Sequence, residues 1–127
     1  MLTESELRER LTNLLQRAEY IWSRSQARID TLTTATQVLP ELHPDEYLRM
    51  VKGATDDATM AALGYHRSLP FLETAISLLE SLAQPSPSTE EIWRGQLLFR
   101  LDEVLKTAAN LIVEGEEYLA SSERIDV

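Results

Sequence analysis

Four of the five prolines in this chain fall in two short stretches, Pro40-Glu-Leu-His-Pro44 and Gln84-Pro-Ser-Pro-Ser-Thr89. Proline lacks a backbone donor and biases the residue before it away from helix, so prolines in pairs mark loops, here near residues 40–44 and 84–89. They cut the chain into segments of about 36, 40 and 35 residues, each with apolar residues at three-and-four spacing and none with the alternation of a strand. The expected fold is all-α: an antiparallel bundle of three long helices, with residues 1–127 as a single helical-bundle domain.

The first segment opens with Thr3-Glu-Ser-Glu6, a capping box, and continues with Leu7, Leu11, Leu14, Leu15, Ala18, Ile21, Trp22, Ile29, Leu32 and Leu39. Ser25 and Arg28 interrupt that stripe, and the Thr-rich end, residues 31–38, is expected to be its least stable part. In the second segment Asp45 is the expected N-cap. Its stripe runs Leu48, Val51, Thr55, Ala58, Ala62, Tyr65, Leu69, Leu72, Ile76, Leu79, Ala83, and it passes Gly64 and Pro70 without losing phase. One long helix kinked near Pro70 follows, or two shorter helices and a four-helix bundle if the chain breaks there. The third segment starts with a second capping box, Ser88-Thr-Glu-Glu91. It carries two series that step by seven, Leu98, Leu105, Ile112, Leu119 and Leu97, Val104, Leu111, Tyr118, with Leu101, Ala108 and Gly115 between them. Residues 121–127 are expected to fray.

Composition narrows the function. The chain has 12 Lys+Arg against 21 Asp+Glu and a formal net charge of -9, which opposes direct binding to nucleic acid. Nine of the acids lie in residues 85–127, against four bases. There is no cysteine, so disulfides, thiolate metal sites and cysteine nucleophiles are absent. No apolar run reaches the ~20 residues of a membrane span, and the charged start, MLTESELRER, lacks the form of a secretory signal; no membrane partner and a cytoplasmic location are expected.

The chemistry of enzymes finds little purchase. A di-iron bundle needs Glu-x-x-His on two helices, but Pro40 precedes His43 by three residues and Leu63 precedes His66. No Gly-x-Ser-x-Gly occurs, and the four glycines stand alone, so neither a serine triad nor a phosphate loop can be assembled. Glu114 and Glu117 have the Glu-x-x-Glu spacing with which all-helical nucleotide pyrophosphatases hold magnesium, with Asp102 or Glu103 as further oxygen ligands, yet the matching Glu-x-x-Asp stretch is missing. No cofactor and no metal site are expected.

The reading that remains is a non-enzymatic protein-interaction module: an adaptor, an inhibitor or immunity-type factor, or a small chaperone. Its expected surface is the acidic side of the third helix, Glu103, Glu114, Glu116 and Glu117, and its expected partner is another protein of basic character. A metal-dependent all-α hydrolase using the same acids is the alternative. A small-molecule binder with a pocket between Trp22 and Trp93 is a third reading, on the expectation that both sit near one end of the bundle. Long three-helix rods often leave an apolar flank, so a homodimer is a companion expectation.

Overall fold

The computed structural model describes residues 3–38, 40–84 and 90–126. Nearly all of them lie in three helices, α1 (Glu4–Ala35), α2 (Pro44–Ala83) and α3 (Glu90–Glu123), and no strand occurs among the described residues. Each helix packs on the other two. At one end Arg94 of α3 bonds both Glu4 of α1 and the Leu82 carbonyl of α2; at the other Ser122 bonds the Ala54 carbonyl. α1 and α3 therefore run parallel and α2 antiparallel, as the spacing predicts. No described helix is long and apolar enough to cross a membrane.

α1 starts where the capping box places it. Thr3 is the N-cap, its hydroxyl accepting from the Glu6 amide at 3.2 Å and donating to the Glu6 carboxylate at 3.3 Å. The helix ends inside the Thr-rich run, where Thr31, Thr33 and Thr34 donate to carbonyls four residues back. The interruption expected at Ser25 and Arg28 is no interruption. Ser25 is fully buried in the core phase Leu14, Ala18, Ile21, Ser25, Leu32, its hydroxyl satisfied by the Trp22 carbonyl at 3.0 Å.

The N-cap of α2 is His43 rather than Asp45. Pro44 cannot donate and has the φ of a first helical residue, so it takes N1, while His43 turns the chain with a left-handed backbone (φ 54°, ψ 52°). Asp45 and Glu46 fall in the first turn, where the helix dipole favours acids.

α2 continues through Pro70 without a break, so the four-helix alternative is excluded. Pro70 is exposed and leaves the His66 carbonyl without its helical donor. Pro70→Ala is expected to raise the urea midpoint, with a gain of about 1–3 kcal/mol once the unfolded-state effect is set against the restored bond. A loss of stability would mean that the ring is required at this point.

The expected stripe of α2 is buried at Val51, Ala58, Ala62, Leu72 and Leu79, and the buried face also takes in the residues just before Thr55, Ala62, Leu69, Ile76 and Ala83. Ala54, Ala61, Ser68, Ala75 and Leu82 face the core, whereas Thr55, Leu69 and Ile76 lie at its edge. The reason is close approach. A methyl group added at Gly64 would stand 3.1 Å from the Gly115 Cα and 3.3 Å from the Leu111 carbonyl oxygen, so small residues must line the seam between α2 and α3. Leu69 and Ile76 are left at the flank, while Leu72, Leu79 and Leu82 fill the core further along α2.

In α3 the predicted series is buried where it matters: Leu101, Leu105, Ala108, Ile112, Gly115 and Leu119 point inward, with Leu97, Leu98, Val104, Leu111 and Tyr118 half-buried beside them. The capping box at Ser88 lies outside the described residues. The expected fraying does not begin at residue 121, because α3 runs to Glu123 and Ser122 is fully buried. Arg28 explains it: its guanidinium donates to the Ser122 carbonyl at 2.7 Å and to the Ile125 carbonyl, which satisfies the end of α3 from a neighbouring helix.

Candidate functional site

Charge along the bundle is sorted by helix face. On α1, Arg10, Arg17 and Arg24 recur every seven residues and meet α3: Arg10 bonds Asp102 at 2.9 Å, Arg17 bonds Glu116 at 3.0 Å, and Arg24 pairs with Glu123. Glu4 is held below the ordinary carboxylate range, first by its bond from Arg8 and then by Arg94, and Asp102 is held low by Lys106 and then Arg10. The Glu116 bond raises the Arg17 guanidinium further. A carboxyl held low stabilises the fold above its unfolded pKa and loses that contribution as pH falls through its folded value. These pairs are partly solvated and each contributes little, so their role is to set register and to remove acids from the free surface.

Glu116 is one of the acids removed. Half-buried against Arg17, it does not belong to the outward acidic surface expected of it, because its helical phase turns it toward α1. Asp102 is likewise engaged. Glu103, Glu114 and Glu117 remain exposed on the side of α3 away from the core, and Asn110 shares their line. Among the described residues the Lys106 ammonium, 3.6 Å from Glu103, is the one cation paired with any of them.

The same outward line contains two residues that belong to none of the motifs in the sequence. Ile92 and Phe99 are 72% and 65% exposed, and the steps 92, 99, 103, 110, 114, 117 are all three, four or seven. An apolar pair thus leads into a row of acids on one helix face. Amphipathic periodicity does not single it out, since both residues sit opposite the leucines. The signal available was that Ile92 and Phe99 are out of phase with the core series.

Trp22 and Trp93 do not form a pocket. Ile21 packs on Gly115, so Trp22 stands level with the last third of α3, about 33 Å from Trp93 at 1.5 Å per residue. The expectation failed because Trp22 lies far along α1 and Trp93 in the first turn of α3, while the Glu4–Arg94 bond holds the starts of the two helices within about a turn of each other. Trp22 instead stacks on Tyr65 (ring centroids 5.0 Å, interplanar angle 26°), with His66 edge-on to Trp22 at 4.9 Å. That cluster covers the outer edge between α1 and α2, and each ring face it could offer a ligand is partly taken by another ring. His43 is exposed in the loop.

No family model, curated protein or solved structure matches this chain. Chemistry must therefore be read from the side chains. Among the described residues no three His, Asp or Glu side chains are grouped so that they could hold a metal ion. Glu114 and Glu117 project outward while Asp102 faces α1, so the acids proposed as ligands for the hydrolase reading are not brought together. What the geometry offers is an extended surface: Ile92 and Phe99, then Glu103, Glu114 and Glu117.

Proposed function

We propose that this chain is a non-enzymatic protein-binding module whose working surface is the outward face of α3. The observation that carries the reading is the exposure of Ile92 and Phe99 in line with Glu103, Glu114 and Glu117. Two large apolar side chains left in water on a helix with a well-filled core are surplus to folding, and burial against a partner recovers their hydrophobic free energy. The acids beside them select the partner by charge. The matching ligand is a basic segment with an apolar anchor at one end, and complementary potential speeds its encounter with a chain of net charge -9.

The test uses two variants that leave the core untouched. Phe99→Asp removes the anchor and is expected to weaken a captured basic partner mainly through faster dissociation. Reversal of Glu103, Glu114 and Glu117 to lysine is expected to slow association roughly tenfold or more at low salt, with the difference shrinking as salt rises. Both variants should keep the helical circular dichroism of the parent. Partner binding indifferent to both variants would overturn the reading, as would metal-dependent hydrolysis of nucleoside triphosphates by the purified protein that is lost in Glu114→Gln.

A further inference from the structure

The three helices do not end level. Ser122, in the last turn of α3, donates to the Ala54 carbonyl at 2.6 Å, so residues 44–53 of α2 run on past α3 for about 15 Å. Arg28 reaches the same turn of α3, and α1 continues to Ala35, about 10 Å further. The overhang is a built two-helix layer. Leu32 and Val51 are fully buried in it, Ile125 packs against them after α3 has ended, and the Tyr47 hydroxyl donates to the Ala35 carbonyl at 3.1 Å.

Among the described residues one side of that layer is left uncovered. Met50 stands four residues before Ala54 and fourteen before Gly64, on the α2 phase that faces α3 elsewhere, yet it is 50% exposed because α3 has stopped. It lines a shallow cavity of about 330 Å³ with Glu46 and Arg49. Among the described residues neither Glu46 nor Arg49 has an ion-pair partner.

We propose that a second copy of this chain occupies the open side, the two overhangs packing about a two-fold axis so that four helix ends enclose Met50 where three helices close the core elsewhere. The lining decides the occupant. An isologous contact brings each surface against itself, so it requires charges that are their own complement. Glu46 and Arg49, one turn apart, meet that condition: Glu46 of either copy faces Arg49 of the other. A basic partner of the kind that fits the α3 face would meet Arg49 here and gain nothing by its charge. The two surfaces are thus separate, one turned to a different protein and one to the same chain.

Sedimentation equilibrium of the full chain over a range of concentration tests this. The mass is expected to rise from 14.4 kDa toward twice that value. Arg49→Glu sets acid against acid across the axis and Glu46→Arg sets base against base, and each is expected to weaken the dimer roughly tenfold or more. The double exchange, Glu46→Arg with Arg49→Glu, keeps the net charge of the parent and is expected to restore the dimer to within about threefold. Phe99→Asp should leave the dimer intact, which separates this contact from the partner-binding face. A monomer at every concentration would overturn the proposal. So would a dimer indifferent to both single reversals, one not restored by the exchange, or one lost in Phe99→Asp alone.

Discussion

Truncating Ile112 to alanine is expected to lower the unfolding free energy by about 4–5 kcal/mol, and truncating Leu105 by about 2–4 kcal/mol. Both side chains are fully buried in the middle of α3, which packs on α1 and α2 together. The difference comes from how far each site can close. Ile112 lies one turn before Gly115, where the backbones of α2 and α3 already approach so closely that a Cβ on Gly64 would stand 3.1 Å from the Gly115 Cα. The helices cannot move together there to fill the hole, and an unfilled hole costs more in proportion to its volume. Leu105 lies almost three turns from that crossing and its surroundings have room to settle. Glu114→Ala, on the opposite face, should change stability by less than about 0.5 kcal/mol. Urea unfolding of the three variants with a common m-value is the measurement. A large loss at Glu114 with small losses at Leu105 and Ile112 would mean that α3 presents its other face to the core.

α3 was the most readable element because its inward positions are large and apolar at constant phase, from Leu101 to Leu119. α2 was harder. Beside Val51, Leu72, Leu79 and Leu82 its buried face includes Ala54, Ala61, Gly64, Ser68 and Ala75, which a count of hydrophobic residues ranks below Leu69 and Ile76 at the edge. Size mattered more than hydropathy there, since the separation of two helices is set by what stands between their axes. Ser25 and Arg28 misled for a related reason. A serine can fill a core position when its hydroxyl is satisfied on its own helix, and an arginine can serve a neighbour's last carbonyls, but neither partner is visible in the local sequence.

The candidate site was legible in part. Glu103, Glu114 and Glu117 face outward as their spacing implies, while Glu116 differs because its phase brings it to Arg17. The clue to that pairing, and to the relative height of α1 and α3, was present as a shared step. Arg17 and Arg24 are seven apart, and so are Glu116 and Glu123, both steps running in the same chain direction. Two parallel helices with opposite charges at one period align in that register. The register also places Trp22 far from Trp93. Ile92 and Phe99 were visible as residues but not as a surface, because exposure is a property of what α3 leaves uncovered by its neighbours.

Gly64→Val is expected to lower stability by about 3 kcal/mol or more, at the upper end of what overpacking costs. The glycine is buried inside α2, with right-handed helical backbone, so its lack of a side chain serves proximity and not conformation. A Cβ at this position would meet the Gly115 Cα at 3.1 Å, the Leu111 oxygen at 3.3 Å and the Gly115 nitrogen at 3.4 Å, all of them backbone atoms that cannot swing aside. Two further γ carbons would force α2 and α3 apart along the seam that Ala61 and Ala108 also line, and the loosened core would lose dispersion contacts well beyond the substituted residue. Gly53 provides the control, since a Cβ there has no neighbour within 4 Å. Gly53→Ala should gain about 0.5–1 kcal/mol from helix propensity alone, whereas Gly64→Ala should lose stability, because the backbone of α3 would have to give way by a few tenths of an ångström. Thermal and urea unfolding of these variants separate proximity from propensity. If Gly64→Val were no worse than Gly53→Val, the two helices would not be in backbone contact at residues 64 and 115, and the account of why α2 buries its small residues would fall with it.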